Sequence, residues 1–155
     1  MSVSEYIINS WIPLYDKPDY YHWAIVLKEI GEPIGTIAAV EQRDDTKMVH
    51  IGYCIGQKWW RKGVTSEALK ELIRFFFEEI NVNRIESRHD PRNPNSGKVM
   101  MKHGLKYEGT MRQSDINNQG ICDATYYALL AEDYFVGKLN PTADEKKIRK
   151  FAYGR

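Results

Sequence analysis

A strand, a short basic loop and a long amphipathic helix follow one another between Ile51 and Phe77, and this order constrains the fold more than any other feature. Val49–Gly56 is rich in β-branched and aromatic residues, which predicts a buried strand. Apolar residues then recur at three- and four-residue spacing, which predicts a helix from Thr65 to Ile80 with one apolar stripe. The stripe consists of Leu69, Leu72, Ile73, Phe76 and Ile80.

The junction between this strand and this helix has the character of an anion site. Arg61, Lys62, Gly63 and Val64 precede the hydroxyl-bearing Thr65 at the start of the helix. The first N–H groups of a helix lack intrahelical partners, and a glycine allows an anion to approach the backbone, so a diphosphate would fit here. An ordinary turn with solvated basic side chains explains the same residues. The P-loop and Rossmann glycine patterns are absent from the sequence.

The overall composition indicates one globular domain. The chain has 155 residues, a net charge of +1 and 43% hydrophobic residues, a balance that argues against a dedicated nucleic-acid binder. Cys54 and Cys122 show no paired spacing, which favours a reducing compartment. The sequence contains no apolar run of membrane length and no signal peptide, so we expect a cytoplasmic protein that does not enter the membrane.

The remaining elements predict a mixed sheet. The first three strands are separated by short turns and should form an antiparallel meander, whereas the long helix crosses over to a parallel fourth strand. Besides Val49–Gly56, the predicted strands are Trp23–Ile30, Ile34–Glu41, Asn83–His89, Leu105–Arg112 and Cys122–Ala131. The further predicted helices are Val3–Tyr15 and a helix that is capped by Asn95 or Ser96 and ends at His103. Gly137–Arg155 is predicted to be a loosely attached polar and basic tail.

The run WWRKGVTSEAL resembles the acetyl-CoA loop of the GNAT family of N-acetyltransferases. That loop carries Arg or Gln, two residues, Gly, one residue, and Gly or Ala. Gly63 matches it, whereas Trp60 and Thr65 depart from it in a way that suits the branch of ribosomal-protein N-terminal acetyltransferases. A second segment, Asn93 to Leu105, resembles the family pattern NxxSxxvxxKxGF, and DATYYALL resembles the final strand. The resemblance covers about Tyr20 to Tyr134.

The resemblance implies an α+β (mixed α/β) GNAT fold for residues 1–136. Its central mixed sheet of about six strands is flanked by helices and splays apart after Val49–Gly56, with the pantetheine arm of acetyl-CoA in the split. The implied diphosphate site is Arg61, Lys62, Gly63, Val64 and Thr65. Backbone N–H groups near Cys54 and Ile55 are implied to hold the pantetheine and polarise the carbonyl, and Asn93 and Ser96 complete the cofactor contacts.

The resemblance leaves the catalytic residues open. Many members carry a tyrosine acid where this chain has Met100, so Ser96, which resembles the acid proposed for the ribosomal-protein branch, is the first candidate; a plain helix cap is its alternative role. Tyr126 and Tyr127 are further donors, and strand alternation lets at most one face the cleft.

For the base, Glu41 is the principal candidate. His50, His89 and a water relay are the alternatives. We expect no metal site, because the histidines and cysteines show no ligand spacing. Cys54 could be a nucleophile but is expected in the core.

The functional expectation is an acetyl-CoA-dependent transfer to a primary amine, such as a protein N-terminus, a polyamine or another small amine. A non-catalytic CoA-binding module and an oligomerising or tethering domain are the competing hypotheses. The chain is also expected to lack the usual first strand and helix of its branch. This would expose the edge of Trp23–Ile30 and favour a homodimer through the N-terminal half.

Overall fold

The computed structural model describes residues 14–139, which form a six-stranded mixed sheet with helices packed on it. The strands are β1 (His22–Leu27), β2 (Glu32–Arg43), β3 (Met48–Ile55), β4 (Arg84–His89), β5 (Lys106–Asn117) and β6 (Gly120–Leu130). The helices are α1 (Val64–Phe75), α2 (Pro94–Lys102) and α3 (Ala131–Leu139). The predicted α+β fold with a mixed six-stranded sheet is confirmed. The predicted helix Val3–Tyr15 lies almost wholly outside the described residues, as does most of the predicted tail.

The sheet has the order β1-β2-β3-β4-β6-β5, and the predicted pairings hold. β1, β2 and β3 form the antiparallel meander, while β3 and β4 are parallel because α1 crosses between them. Of the two outer strands, β1 is the one predicted as an edge. None of the helices in residues 14–139 is long and apolar enough to cross a bilayer.

The pairing of β3 with β4 is short, and this creates the split in the sheet. The ladder extends from Met48 opposite Arg84 to His50 opposite Glu86. One residue further along, the Ser87 hydroxyl donates a hydrogen bond of 2.8 Å to the Ile51 carbonyl oxygen. Within residues 14–139 no ladder pair continues beyond this point, so the end of β3 has no backbone partner in β4.

The core lies between the sheet and α1. Leu69, Leu72 and Ile73 are buried, as the apolar stripe predicts, whereas Ile80, at the end of the predicted stripe, is exposed. The regular α-helix ends at Phe75. A π-helical turn, Phe76–Ile80, follows directly, and Phe76 and Phe77 are buried. They pack with sheet residues that include Val49, Ile51, Ile85 and Leu129.

Several predicted boundaries require correction. β1 ends at Leu27 rather than Ile30, because a turn closes there with hydrogen bonds from Ile30 and Gly31 to the Leu27 carbonyl oxygen. β5 continues to Asn117 across an irregularity between Met111 and Asp115.

The cap of α2 also differs from the prediction. The N-cap is Asn93, followed by Pro94 at the first helical position, and it makes no side-chain cap hydrogen bond. Neither Asn95 nor Ser96 is the cap, so the interpretation of Ser96 as a plain helix cap is wrong.

Candidate active site

The loop after β3 is fixed by its tryptophans. The Trp60 indole N–H donates a 3.0 Å hydrogen bond to the Ile55 carbonyl oxygen, which ties the loop back to the end of the strand. The ammonium groups of Lys58 and Lys62 lie 5.1 and 4.8 Å from the Trp59 ring centroid. Trp60, at the position where the family loop carries Arg or Gln, thus serves to hold the loop.

Gly63 is the N-cap of α1 and has a left-handed backbone, with φ of +79°. Its carbonyl oxygen accepts the first helical hydrogen bond, from the Glu67 N–H. Arg61 also has a positive φ, of 61°. A side chain is disfavoured in this left-handed conformation, which explains the glycine at position 63. Arg61 adopts the same conformation with a side chain, so its backbone is strained. The helix therefore starts abruptly, with the N–H groups of its first turn unused by the helix itself.

One cleft of about 220 Å³ collects most of the predicted cofactor residues. Its lining includes the predicted residues Cys54, Ile55, Arg61, Thr65, Asn93 and Ser96. Trp60, Asn95, Val99 and Tyr53 complete it. Lys62, Gly63 and Val64 lie beside the cleft without forming part of its wall. Cys54 is exposed here, so the expectation that it belongs to the core is wrong.

Neutral hydrogen bonds cross this cleft. The Tyr53 hydroxyl donates to the Ser96 carbonyl oxygen at 3.2 Å and so joins β3 to the first turn of α2. The Asn93 side-chain amide donates to the Ser96 hydroxyl at 3.4 Å. Burial raises the pKa of Tyr53 well above its usual value, so the phenol remains protonated at neutral pH. The sequence interpretation missed Tyr53. Its position two residues after Ile51 on the same strand face was the available signal.

Neither the position of the usual family tyrosine nor the candidate donor Tyr127 forms part of the cleft wall. Met100, where the family tyrosine is usual, is 1% exposed in the core. Tyr127 is buried below α2, where a Cβ added at Gly97 would lie 3.1 Å from its hydroxyl oxygen and 2.7 Å from His89 Nε2. The Nδ1–H of His89 donates to the Asp90 carbonyl oxygen, and Nε2 is buried without a partner among the described residues.

The other catalytic candidates gather on the opposite face of the sheet. Glu41 is exposed and pairs with His50 across β2 and β3. The His50 ring lies 6.0 Å from the Tyr126 ring, and its Nδ1–H donates to Glu86 at 3.0 Å. The structure therefore separates the predicted catalytic set, with Ser96 in the cleft and Tyr126 and Glu41 beside His50.

Ion pairs lie on the same opposite face of the sheet. Arg88 forms two hydrogen bonds to Asp115, of 2.7 and 3.2 Å, and the guanidinium lowers the pKa of that carboxyl. Arg84 bridges Glu86 and Glu108. Burial raises the pKa of Glu86, but hydrogen bonds from His50 and Arg84 outweigh it, so the pKa is lowered. These carboxylates are charged at neutral pH.

A separate polar contact joins the two helices beside the cleft. Ser66, in the first turn of α1, lies with its hydroxyl oxygen 2.7 Å from Nε2 of His103, the residue that follows α2. Burial lowers the pKa of His103, and Lys102 and Lys70 lower it further. This favours a neutral ring that accepts a hydrogen bond from the Ser66 hydroxyl.

A second depression, at the other end of β3, contains none of the predicted site residues. It is more open, has a volume of about 570 Å³, and is lined by residues such as Lys47, Phe77 and Asn83. Within residues 14–139, no cluster of His, Cys, Asp and Glu side chains has the arrangement of a metal site. The smaller cleft at the split is therefore the candidate site.

Comparison with known proteins decides the family. Residues 1–106 match the family model described as an acetyltransferase (GNAT) domain. The chain belongs to the GNAT acetyltransferase family. The family prediction is thereby confirmed, and the relatives described below include a protein from the predicted ribosomal-protein branch.

Relatives of this GNAT chain are named as N-acetyltransferases. It is 32% identical over 112 residues to the uncharacterised N-acetyltransferase p20 of Bacillus licheniformis. The match covers 72% of this chain and 63% of that protein. It is 32% identical over 89 residues to the ribosomal protein uS5-alanine N-acetyltransferase of Escherichia coli, covering 57% of this chain and 46% of that protein. The chain thus spans about half to two thirds of these relatives.

The fold of this GNAT chain also matches a solved structure. A crystal structure of a probable acetyltransferase superposes with a TM-score of 0.75 at 27% sequence identity. The match covers 83% of this chain and 72% of the other. The split sheet and the two helices beside it therefore belong to a known acetyltransferase architecture.

Proposed function

We propose that this chain is an acetyl-CoA-dependent N-acetyltransferase that transfers the acetyl group to a primary amine by direct attack in a ternary complex. One observation carries the proposal: the end of β3, the loop before α1 and the first turn of α2 line a single cleft. Family membership supplies the reaction class. The acceptor is proposed to be a protein N-terminus or a small amine, because one relative is named for the alanine of a ribosomal protein.

Each part of the cleft has a task in this proposal. The unused N–H groups at the start of α1, with Arg61 beside them, suit the diphosphate. The end of β3 at Cys54 and Ile55, beyond the last ladder pair with β4, is proposed to hold the pantetheine arm, and a backbone N–H there can polarise a carbonyl; the Ile55 carbonyl oxygen already accepts the Trp60 indole N–H. Asn93 presents a side-chain amide to the same cleft. Acetyl-CoA supplies the activated acyl group.

The opposite face suits the acceptor. His50, Glu41 and Tyr126 lie together on that side of the split, where a base could remove a proton from the incoming amine. Glu41 is the proposed base because it is exposed. His50, in contrast, is only 3% exposed and is hydrogen-bonded to Glu86. Holding the two reactants on either side of one split supplies rate through positioning.

The activity is tested with a panel of amines. The protein is incubated with acetyl-CoA and with an alanine-initiated peptide, a serine-initiated peptide, spermidine or a free amino acid, and release of thiol is followed over many turnovers. Because Cys54 is exposed, one equivalent of thiol per chain is the background, and product mass confirms acetylation. Thiol release that depends on one amine supports the proposal.

A non-catalytic acetyl-CoA-binding module is the second candidate, favoured by the burial of the apolar Met100 at the usual tyrosine position. The two functions separate in the same experiment. Acetyl-CoA that raises the melting temperature without thiol release for any amine supports the module. An unchanged melting temperature contradicts both and favours a tethering domain.

The proposal extends to a homodimer in the cytoplasm. β1 is the outer strand beside β2 in the described sheet, and its Val26 side chain is 51% exposed. Such an edge can pair with a second copy. Sedimentation at micromolar concentration, with hydrogen exchange of the β1 amides, is the test. A dimer with protected β1 amides supports the proposal, whereas a monomer contradicts it.

A further inference from the structure

Acetyl transfer from a thioester leaves a thiolate that needs a proton, and the usual candidates in this chain do not face the cleft. Met100 is buried and has no hydroxyl. Tyr126 lies on the opposite face beside His50, and Tyr127 is buried under α2. A proton donor has to lie within hydrogen-bond reach of the sulfur, so it should come from the wall of the cleft itself.

Tyr53 satisfies this requirement. Among the tyrosines of residues 14–139, it alone lines the cleft. It stands on β3, directly before Cys54 and Ile55, whose backbone groups are proposed to hold the pantetheine. Strand alternation directs its side chain to the helix side, where its hydroxyl reaches the Ser96 carbonyl oxygen across the cleft. A phenol is thus held in the gap between β3 and α2.

Ser96 carries the hydroxyl nearest to Tyr53 on α2, but its chemistry is less suitable. A phenol is a stronger acid than an aliphatic hydroxyl, which does not titrate in the range of protein side chains, and this order holds although burial raises the pKa of Tyr53. The Ser96 hydroxyl already receives the Asn93 amide at 3.4 Å. Its backbone carbonyl, in contrast, accepts the Tyr53 proton and sets the direction of the phenol.

Resting on the proposed acetyl transfer, we propose that Tyr53 donates the proton to the departing sulfur and that the Ser96 carbonyl positions its hydroxyl between turnovers. The amine nitrogen forms the N–C bond, the C–S bond breaks, and the sulfur keeps the electron pair and takes the phenolic proton. The phenolate is reprotonated by the proton that the acceptor nitrogen loses, relayed through solvent. One free thiol and one amide are formed, and the tyrosine is restored.

A purely structural role is the competing explanation. The bond from Tyr53 to Ser96 joins β3 and α2, so its loss could simply loosen the cleft. Such loosening would weaken the binding of every CoA analogue alike. A proton donor, in contrast, interacts with the sulfur, so its loss should matter only for ligands that carry one.

The test compares CoA with desulfo-CoA, which has a hydrogen in place of the thiol, in wild type and in Tyr53→Phe. Tyr107→Phe is the matched control, since Tyr107 is 60% exposed on β5. At about pH 9, where part of the thiol is ionised, wild type and the control are expected to bind CoA about 3- to 10-fold more tightly than desulfo-CoA, the range of a single hydrogen bond. Tyr53→Phe is expected to lose this preference.

Turnover gives the second measurement. Tyr53→Phe is expected to lower kcat by about 100-fold while KM for acetyl-CoA stays within about threefold. Ser96→Ala keeps the backbone carbonyl and should lower kcat far less. Tyr53→Phe that retains the preference for CoA and normal kcat overturns the proposal, as does a Ser96→Ala variant that alone loses turnover. If wild type releases no thiol with any amine, the proposed function fails, while the analogue comparison still decides whether Tyr53 contacts the sulfur.

Discussion

The two faces of the sheet at the split are built from different chemistry. On the helix side, neutral groups cross the cleft: the Tyr53 hydroxyl and the Asn93 amide both make hydrogen bonds to Ser96. On the other side, Arg88 holds Asp115, and Arg84 holds carboxylates on two strands. The split thus separates a cleft that neutral hydrogen bonds cross, called the neutral side although Arg61 lines one end of it, from a face of paired charges.

This difference indicates how the two sides can work. Neutral hydrogen bonds are exchanged for those of a ligand at little cost, so the cleft can open for a long polar chain. Paired charges with bidentate geometry hold their strands rigidly, because breaking one partner leaves the other without compensation. We therefore assign the mobile ligand to the neutral side and the fixed catalytic surroundings to the charged side.

The largest expected effect comes from Gly35→Ala, which breaks the neutral side. A Cβ at position 35 would lie 2.3 Å from the Cys54 carbonyl oxygen, so the end of β3 must move. We expect a loss of about 3 kcal/mol in the free energy of unfolding and loss of acetyl-CoA binding.

Gly137→Ala on α3 is the control for this change. A Cβ there has nothing within 4 Å, so we expect no loss of stability. Urea denaturation of both variants, together with a thermal shift by acetyl-CoA, makes the comparison. A Gly35→Ala protein that is as stable as wild type would show that β2 and β3 approach less closely than described.

Arg88→Gln probes the charged side with a smaller effect. Removal of the guanidinium leaves the partly buried Asp115 without its partner, and we expect a loss of about 1–2 kcal/mol in the free energy of unfolding. Affinity for acetyl-CoA should stay at the wild-type value, while KM for the amine rises.

The control is Arg43→Gln, because its pair with Asp45 is exposed and should contribute little. Denaturation gives the free energy of unfolding of each variant, and calorimetric titration gives its affinity for acetyl-CoA. The division between the two faces is wrong if Arg88→Gln weakens acetyl-CoA binding as strongly as it weakens use of the amine.

The smallest effect is a pH dependence at His103. Its pKa is lower in the folded protein than in the unfolded chain, so between the two values the unfolded chain binds more protons. This contribution to stability is complete above the ordinary pKa of about 6.5 and is lost as pH falls towards the folded value. As pH falls from about 7.5 to about 5, we expect the free energy of unfolding to decrease less for His103→Gln than for wild type.

Urea denaturation across that range measures this difference, and the value at about pH 8, where the ring is neutral in both states, provides the baseline. Parallel curves for the two proteins would mean that His103 does not titrate differently on folding. Such a result would also weaken the description of Ser66 and His103 as a link between α1 and α2.

Local pattern was sufficient to predict the fold and the strand, loop and helix that border the cleft. Strand alternation and helical periodicity are properties of neighbouring residues, so the strands along the chain and the stripe Leu69, Leu72 and Ile73 could be inferred. The motif also predicted residues from distant parts of the chain, such as Ile55 and Asn93, that the structure brings to one cleft.

The grouping of the proposed catalytic residues could not be inferred in the same way. Glu41, His50 and Tyr126 lie on three strands that are brought together by the pairings of β2 with β3, β3 with β4 and β4 with β6, and no local pattern indicates this combination. Tyr53 was missed because a tyrosine in an apolar strand has the pattern of a core residue. Only the position of α2 shows that its hydroxyl reaches Ser96.

The most direct test of the central claim, that acetyl-CoA binds on the neutral side at the start of α1, is a calorimetric titration of Gly63→Glu against Gly31→Glu. Both glycines have left-handed backbones, with φ of +79° and +68°, and a Cβ at either has nothing within 4 Å. The cost to folding should therefore be similar, about 1 kcal/mol. We expect Gly31→Glu to bind acetyl-CoA like wild type and Gly63→Glu to show no binding. A folded Gly63→Glu protein that binds acetyl-CoA with wild-type affinity would contradict the account.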